Sequence, residues 1–263
     1  MISTILKWGV GNRMIQISKI YIKSKINNID YIFDDKYCFR IMHNTNEHYS
    51  TNIFSKLNFN YTYYDIFTNY TEEQSNDEYL KIINNIKLNT KYDLINTSDI
   101  DKYYDNFITC DYDFSFDLIF LYQYQKELQH LFINEDVINK LKIKYINILK
   151  NSVSIHIRRG DYISDFPQLL KSNSYYFDNI EKIEKHKKIE NILIFSDDIQ
   201  WCKENIIDDR ITYIEGQQDY EDLYLMSLCE NNIIIDSSFS WWGAFLNENE
   251  NKIILRPVGT IWK

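Results

Sequence analysis

The chain has 263 residues, of which 44% are hydrophobic and 16% are aromatic, and its formal net charge at pH 7 is −9. These values predict a folded globular protein with one large domain or two smaller ones. The acidic charge argues against a nucleic-acid partner and against a general anionic-membrane surface, because both favour clustered Lys and Arg in excess. We therefore expect any anion site to be local.

Cysteine spacing and apolar runs limit the class of protein further. The four cysteines are widely spaced and form no CxxC or Cys/His ligand pattern, which predicts free thiols in a reducing compartment and no metal site. No apolar run approaches the roughly 20 residues of a membrane span, and the first residues do not resemble a signal peptide. A soluble, cytoplasmic protein without a transmembrane segment is expected.

The N-terminal half opens with a strand-like run at residues 2–6, a glycine turn and a long helix. The turn reads WGVGNRM at residues 8–14, and it lacks the third glycine of a dinucleotide fingerprint. Two interpretations stay open: a simple tight turn, or backbone N–H groups beside Asn12 that approach an anion or a sugar. Residues 43–114 predict no clear elements, whereas residues 114–149 predict two helices.

The C-terminal half repeats one pattern, a short β-branched run that ends in polar residues and precedes a helix. The three clearest runs are SVSIHIRRGD, NILIFSDD and NNIIIDSS, with weaker strands in RITYIEG and KIILRP. Helices are predicted at 174–187, 198–206, 219–230 and 240–249. This alternation predicts a doubly wound parallel sheet, with a ligand beyond the carboxyl ends of its strands. We place the domain boundary between residues 150 and 151.

Side chains alternate along the first of these strands. The apolar set is Val153, Ile155 and Ile157, and the polar set is Ser154, His156 and Arg158. Because successive side chains of a strand point to opposite faces, one face is expected to pack in the core and the other to meet a ligand.

The HIRRGD motif has three interpretations. Arg158 or Arg159 can pair with Asp161 at a solvated strand end. The Arg-Gly-Asp tripeptide can serve as an adhesion ligand in an exported protein, but no signal peptide supports export. Fixed guanidinium groups can also hold a diphosphate through planar, bidentate hydrogen bonds. The position at a sheet edge favours the diphosphate clamp.

Three further segments carry polar groups near helix starts. The SDD run at 196–198 fits a metal-binding acidic pair or a helix cap, and capping is favoured. The run DSSFSWWGA at 236–244 offers hydroxyl and N–H donors for a phosphate, while its two tryptophans are expected in the core. Asp219, Glu221 and Asp222 complement a helix dipole, although a carboxylate there can also reach the base edge of a nucleotide.

Three of these segments occur in the order found in a known family. WGVGNRM, HIRRGDY and DLYLMSLCENNIIIDSSFSWWGAFLN resemble the α-1,2-fucosyltransferases of glycosyltransferase family 11, from about residue 8 to the end of the chain. Family members usually read GGLGNQMFQ at the first segment, from which Trp8, Val10, Arg13 and Ile15 depart. The departure falls in the half that is expected to handle the acceptor.

The resemblance implies an α/β, GT-B-like fold with two Rossmann-like domains whose parallel sheets face a cleft. Residues 1–150 would form the acceptor-side domain and residues 151–263 the GDP-fucose-binding domain. The implied reaction transfers L-fucose from GDP-β-L-fucose with inversion to a glycan hydroxyl, by default α-1,2 to a terminal β-galactoside. It implies no metal and no other cofactor. A cytoplasmic enzyme of this kind can lie peripherally at a membrane where glycans are assembled.

Site residues follow from the resemblance position by position. The implied donor-site residues are Gly11, Asn12, His156, Arg158, Asp222, Ser237, Ser238 and Phe239. Among these, Arg158 is the principal phosphate contact, and His156 and Asp222 are the guanine contacts. The catalytic base is expected to be Asp161, which can equally be structural.

The remaining donor-site residues have supporting or lining roles. Ser237, Ser238 and Phe239 are expected to line the seat of the phosphate and the base, and Gly11 and Asn12 shape the junction between donor and acceptor. Structural support is expected from Arg159, which would brace its loop through an acidic partner such as Asp161 or Asp197.

Two other functions remain compatible with these motifs. A fucosyltransferase of α-1,6 or protein O-linked type shares the arginine motif and the fold, but the SSFSWWGA segment favours the α-1,2 group. A non-catalytic nucleotide-sugar binding module would also keep the donor motifs. Transfer or hydrolysis assays distinguish this module from an enzyme.

Overall fold

A computed structural model of the chain describes residues 6, 9–28, 30–31, 33, 49–57, 59 and 119–258. They belong to two compact units, Met1–Tyr124 and Gln125–Lys263. Most of the predicted strand at 2–6, the sequence between residues 60 and 118 and two of the four cysteines, Cys38 and Cys110, lie outside the described residues.

The N-terminal unit contains the long helix that the sequence predicts. Helix α1, Val10–Asn27, starts after the extended residue Gly9 and ends at Asn28, whose φ of 51° is left-handed. A left-handed Asn is a common helix stop because its backbone N–H satisfies a carbonyl of the last turn. Helix α2, Ile119–Gln123, closes the described part of this unit.

The C-terminal unit alternates strands and helices. Its strands are β1 Ser152–Ile157, β2 Asn191–Ser196, β3 Ile211–Tyr213, β4 Asn231–Ile233 and β5 Ile254–Leu255. Its helices are α3 Gln125–Phe132, α4 Glu135–Lys144, α5 Ile146–Leu149, α6 Gly160–Ser164, α7 Asn173–Glu184, α8 Ile199–Asn205, α9 Asp219–Leu228 and α10 Ser238–Leu246, with a 3-10 turn at Pro167–Leu169.

The five strands form one sheet in the order β3-β2-β1-β4-β5, and every neighbouring pair is parallel. The predicted doubly wound sheet is therefore confirmed in this unit. The strand order reverses between β1 and β4, so the carboxyl ends of these two strands flank the crevice where such sheets bind ligands.

The polar face of β1, which was expected to meet a ligand, is buried along the strand. All six residues of β1 are buried, and Ser154 Oγ accepts a hydrogen bond from Asn232 Nδ2 at 2.8 Å. Helices cover both faces of a parallel sheet, so a polar side chain in the middle of a strand meets buried partners and no solvent. Only the carboxyl end of β1 is left to meet a ligand.

The predicted helices of this unit are confirmed, with ends that differ by a few residues. Trp241 and Trp242 on α10 are buried, so their assignment to the core is also confirmed. Helices α9 and α10 pack closely, because a Cβ built on Gly243 would lie 2.9 Å from Met226 Cβ. Glycine is therefore required at this crossing.

The chain divides into the two compact units between Tyr124 and Gln125, whereas the predicted domain boundary lies between residues 150 and 151. Helix α3 belongs to the C-terminal unit because Gln129 Nε2 donates to the carbonyl of Phe245 on α10 at 3.0 Å. Tyr224 on α9 donates its hydroxyl to the carbonyl of Phe132. The assignment of acceptor and donor roles to two domains stays a prediction.

Two cysteines lie in the described residues, Cys202 and Cys229, and both are buried free thiols. No described helix has the length and the apolar character that crossing a membrane requires.

Candidate functional site

Arg158 connects the carboxyl ends of β1 and β2. Its Nε donates to Asp161 Oδ1 at 2.8 Å, and its Nη1 lies 3.1 Å from Asp197 Oδ2. The side chain remains 30% exposed. Because a guanidinium carries five N–H groups, the two bonds fix its plane and leave donors for an anion.

Arg159 faces a different set of groups. Its backbone N–H donates to Asp197 Oδ1 at 2.8 Å, and its Nε donates to Asp198 Oδ2 at 3.0 Å. The guanidinium carbon lies 3.7 Å from the centre of the Trp201 ring, a cation–π contact. Arg159 therefore braces the loop, but its side chain pairs with Asp198 and not with the partners that the sequence suggests, Asp161 or Asp197.

The SDD run after β2 caps a helix and supports the arginines. Asp198 Oδ1 accepts the backbone N–H of Trp201 at 3.2 Å, so the capping interpretation is confirmed. A Cβ built on Gly160 would lie 2.6 Å from Asp197 Oδ2, which explains the glycine of the RRGD motif. Among the described residues, no group of three or more His, Cys, Asp or Glu side chains could hold a metal ion.

Helix α10 starts after β4, the strand that neighbours β1 in the sheet. Ser237 is the N-cap residue, and its side chain makes no capping hydrogen bond. Ser237, Ser238 and Phe239 are half-buried. The first-turn N–H groups of a helix favour an anion, so this end is suited to phosphate oxygens.

His156 precedes Arg158 at the end of β1 and is almost fully buried. Its Nδ1 has no hydrogen-bond partner among the described residues, and its ring centre lies 5.3 Å from that of Phe239. Burial and, secondarily, the charge of Arg158 lower the pKa of His156 to about 3. The imidazole is therefore neutral, and a buried nitrogen without a hydrogen-bond partner marks a candidate functional position.

Asp222 on α9 carries the other buried polar atom that lacks a hydrogen-bond partner among the described residues. This atom is its Oδ1. Burial and, secondarily, the charges of Asp219 and Glu221 raise the pKa of Asp222 to about 7, against an opposing effect of Lys144. Glu221 has the plainer role, since its carboxylate accepts the N–H of Gln218 at 2.9 Å and caps the helix.

Side chains between residues 162 and 175 hold the backbone just after β4, and no sequence pattern identifies most of them as site residues. Lys171 Nζ lies 2.8 Å from Asp236 Oδ2. The Tyr162 hydroxyl donates to the carbonyl of Asp236, and the Tyr175 hydroxyl donates to that of Ile234 at 2.6 Å. Asp236 lies at the end of a predicted strand run, but its partners Tyr162 and Lys171 come from a stretch for which the sequence predicts no element.

Gly11 and Asn12 lie in the first turn of α1, in the N-terminal unit. The backbone N–H of Asn12 donates to the carbonyl of Gly9 at 3.1 Å. Arg13, which departs from the usual family letter, is fully buried, and its guanidinium lies 5.2 Å from the Tyr49 ring centre. The roles of Gly11 and Asn12 at a donor–acceptor junction stay predictions, and Trp8 lies outside the described residues.

Solved structures share this fold at low sequence identity. POFUT1 in complex with GDP-fucose matches with a TM-score of 0.52 and 10% identity over 97% of both chains. Fucosyltransferase NodZ from Bradyrhizobium matches with a TM-score of 0.50 and 11% identity over 93% of this chain and 91% of that one. The predicted α/β, GT-B-like fold class is confirmed.

Curated relatives match more closely in sequence. The O-antigen biosynthesis glycosyltransferase WbnK of Escherichia coli is 29% identical over 96% of this chain and 92% of its own length. An alpha-1,2-colitosyltransferase of Escherichia coli is 42% identical over 41% of this chain and 40% of its own length. Human galactoside alpha-(1,2)-fucosyltransferase 1 is 28% identical over 36% of this chain and 28% of its own length.

A family model settles the relationship that the three motifs suggest. The model of glycosyl transferase family 11 matches residues 1–258, which includes the arginine loop, the start of α10 and helix α1. The chain belongs to glycosyl transferase family 11.

Proposed function

We propose that this glycosyltransferase transfers L-fucose from GDP-β-L-fucose, with inversion, to the 2-hydroxyl of a terminal β-galactoside. The observation that carries this proposal is that two carboxylates hold Arg158 at the carboxyl end of β1. The names of the relatives support α-1,2 transfer and a fucose-like sugar.

Arg158 acts on the leaving group in this proposal. Cleavage of the bond between fucose and phosphate builds negative charge on GDP and oxocarbenium character on the sugar. A guanidinium whose orientation is already fixed stabilises that charge without reorganisation in the transition state. The N–H groups of the first turn of α10, from Ser238 onward, supply the second side of the diphosphate cradle.

His156 and Asp222 would recognise the guanine base. Guanine presents two adjacent N–H donors, which match the carboxylate of Asp222, and the buried Nδ1 of His156 offers a further polar contact. Phe239, which lies beside the imidazole, can line the base. An adenine or a pyrimidine does not present the same pair of donors, so the site would select GDP.

Asp161 is the proposed base for the acceptor hydroxyl. Its side chain is 44% exposed, and the bond to Arg158 orients it at the site. A general base needs to reach the hydroxyl proton within hydrogen-bond distance. We further propose that no metal is required, because Arg158 supplies the positive charge that a divalent ion provides in metal-dependent transferases.

A second donor sugar is compatible with the same site. The alpha-1,2-colitosyltransferase relative is 42% identical to this chain over 117 residues. Colitose is a deoxy form of L-fucose, so the GDP contacts would be the same and only the sugar pocket would differ. Colitosyl transfer is therefore the second candidate activity.

The experiment is a transfer assay in EDTA with GDP-fucose and a β-galactoside, with the 2-deoxy-β-galactoside as a matched acceptor. We expect a fucosylated product with the first acceptor, an α-1,2 linkage by NMR, and no product with the second. GDP-colitose is supplied in parallel. Equal transfer to both acceptors would contradict the α-1,2 proposal. No transfer from GDP-fucose and none from GDP-colitose would contradict both proposed activities.

A further inference from the structure

Three side chains from residues 162–175 bind the backbone that leaves β4. Lys171 pairs with the carboxylate of Asp236 at 2.8 Å. Tyr162 binds the carbonyl of Asp236, and Tyr175 binds the carbonyl of Ile234. We call this set the β4 clamp. Its members hold both the side chain and the main chain of the loop.

The clamp combines a largely buried ion pair with two neutral tyrosine hydroxyls. The side chains of Lys171 and Asp236 are only 17% and 10% exposed, so removal of one partner leaves an uncompensated charge in a poorly solvated place. Burial raises the pKa of Tyr162 to about 12 and raises that of Tyr175 as well. Both hydroxyls therefore remain donors at physiological pH.

The clamp connects the two halves of the proposed diphosphate cradle. Tyr162 lies on α6, which begins directly after Arg158 and Arg159. Asp236 directly precedes Ser237, the N-cap of α10. A shift of the loop after β4 would therefore move the start of α10 relative to Arg158.

We propose that Lys171, Asp236 and Tyr162 are positioning residues that hold the start of α10 in register with Arg158 for the diphosphate. This inference rests on the proposed function. The three residues act through the backbone of the loop, and the phosphate contacts belong to Arg158 and to α10.

The test compares GDP with GMP by calorimetric titration of Lys171→Met, Asp236→Asn and the double variant. GDP spans both halves of the cradle and GMP does not, so Lys171→Met should weaken GDP roughly tenfold or more while GMP changes little. The double variant should recover part of the loss, since it leaves no unpaired charge. Lys203→Met, which breaks a more exposed ion pair with Glu215, should leave both affinities unchanged.

A milder pair of variants covers the case in which Lys171→Met does not fold. Tyr162→Phe removes one hydroxyl from the clamp and should lower the ratio of GDP to GMP affinity. Tyr213→Phe removes a hydroxyl on the edge strand β3 that donates to the carbonyl of Ile206, and it should leave that ratio unchanged. Thermal melting of each variant accompanies the titrations.

The outcomes separate this inference from the proposed function. Wild-type protein that binds GDP, together with clamp variants whose GDP to GMP ratio is unchanged, would overturn the inference alone, even if their Tm falls. Wild-type protein that does not bind GDP would overturn both.

Discussion

At the residue scale, the two neighbouring arginines at the end of β1 have different environments. Arg158 meets the carboxylates of Asp161 and Asp197 and stays partly exposed. Arg159 is held by Asp198 and covered by Trp201. The first is suited to a ligand and the second to support of the loop.

Replacement of Arg158 should therefore lower the rate of sugar transfer. Arg158→Ala should lower the rate of transfer by roughly 100-fold or more, on the order of 3 kcal/mol, because the charge on leaving GDP loses its fixed donor. Arg158→Lys should recover little, since an ammonium cannot reproduce a planar fork. Steady-state kinetics measure both variants. Arg210→Lys, at a bidentate pair with Asp208, is the matched control, and near-wild-type rates for Arg158→Ala would rule out the assigned role.

Asp222 should make GDP binding depend on pH. Its pKa is raised to about 7 by burial and by Asp219 and Glu221, and only the ionised carboxylate accepts both guanine donors. Below that pKa the affinity should fall about tenfold per pH unit. His156, with a pKa near 3, stays neutral throughout and adds no such dependence.

The measurement for this prediction is the dissociation constant of GDP from about pH 5.5 to 8.5, in wild type and in Asp222→Asn. The variant should bind more weakly and lose the dependence on pH, apart from the titration of GDP itself. An identical pH profile in the two proteins would show that Asp222 does not contact the base.

The sequence was sufficient to place the arginines of HIRRGD and the carboxylates of SDD at one sheet edge, but it did not show which of them pair. HIRRGD and SDD both follow β-branched runs, so their meeting could be predicted. Which arginine meets which carboxylate depends on the register of β1 and β2, in which Ile157 lies opposite Ser196. Side-chain alternation does not encode that register.

At the element scale, the crossing of α9 and α10 fixes the position of the start of α10, where we propose that phosphate binds. The close approach of Gly243 to Met226 permits the crossing. Buried asparagines support it, because Asn232 Nδ2 donates to the carbonyl of Met226, and Asn247 Nδ2 donates to Asn232 Oδ1, both at 2.8 Å.

A side chain at Gly243 should separate the two helices. Gly243→Ala should lower the free energy of unfolding by about 1–3 kcal/mol, because the new methyl group overlaps the Cβ of Met226. Thermal and urea denaturation measure the change. Gly216→Ala is a useful comparison, since Gly216 has a φ of 74° and open space around it, so its loss reflects backbone strain alone. Unchanged stability of Gly243→Ala would contradict the packing.

The elements of the C-terminal unit could be predicted because their runs of apolar residues are short and regular. The β4 clamp could not, since Lys171 and Asp236 are far apart in sequence and Lys171 follows no periodic pattern. The buried Asn232 and Ser154 also escaped prediction, because a polar residue in a strand suggests an exposed face when helix coverage is unknown.

At the scale of the whole molecule, an acidic chain places two arginines, each paired with carboxylates, at one edge of its sheet. The net charge is −9, yet Arg158 and Arg159 lie together at the sheet edge, with carboxylates that hold them in place. The family model spans residues 1–258, which covers the first compact unit and all but the last five residues of the second. The specificity for an anionic donor is therefore expected to arise from fixed local geometry and not from overall charge.

Metal removal tests this view of the molecule. We expect full transfer activity after dialysis against EDTA, because arginine supplies the charge that stabilises the leaving group. The matched assay adds back Mg²⁺ or Mn²⁺ and should show little gain. A strict requirement for either ion would contradict the proposal and would redirect attention to the carboxylates after β2.

The most direct test of the central claim is calorimetric titration of the purified protein with GDP, ADP and UDP in EDTA. We expect micromolar binding of GDP and much weaker binding of ADP and UDP, because Asp222 and His156 would select the guanine edge while Arg158 would hold the diphosphate. Absence of GDP binding, or equal binding of the three nucleotides, would contradict a GDP-sugar donor site at the ends of β1 and β4.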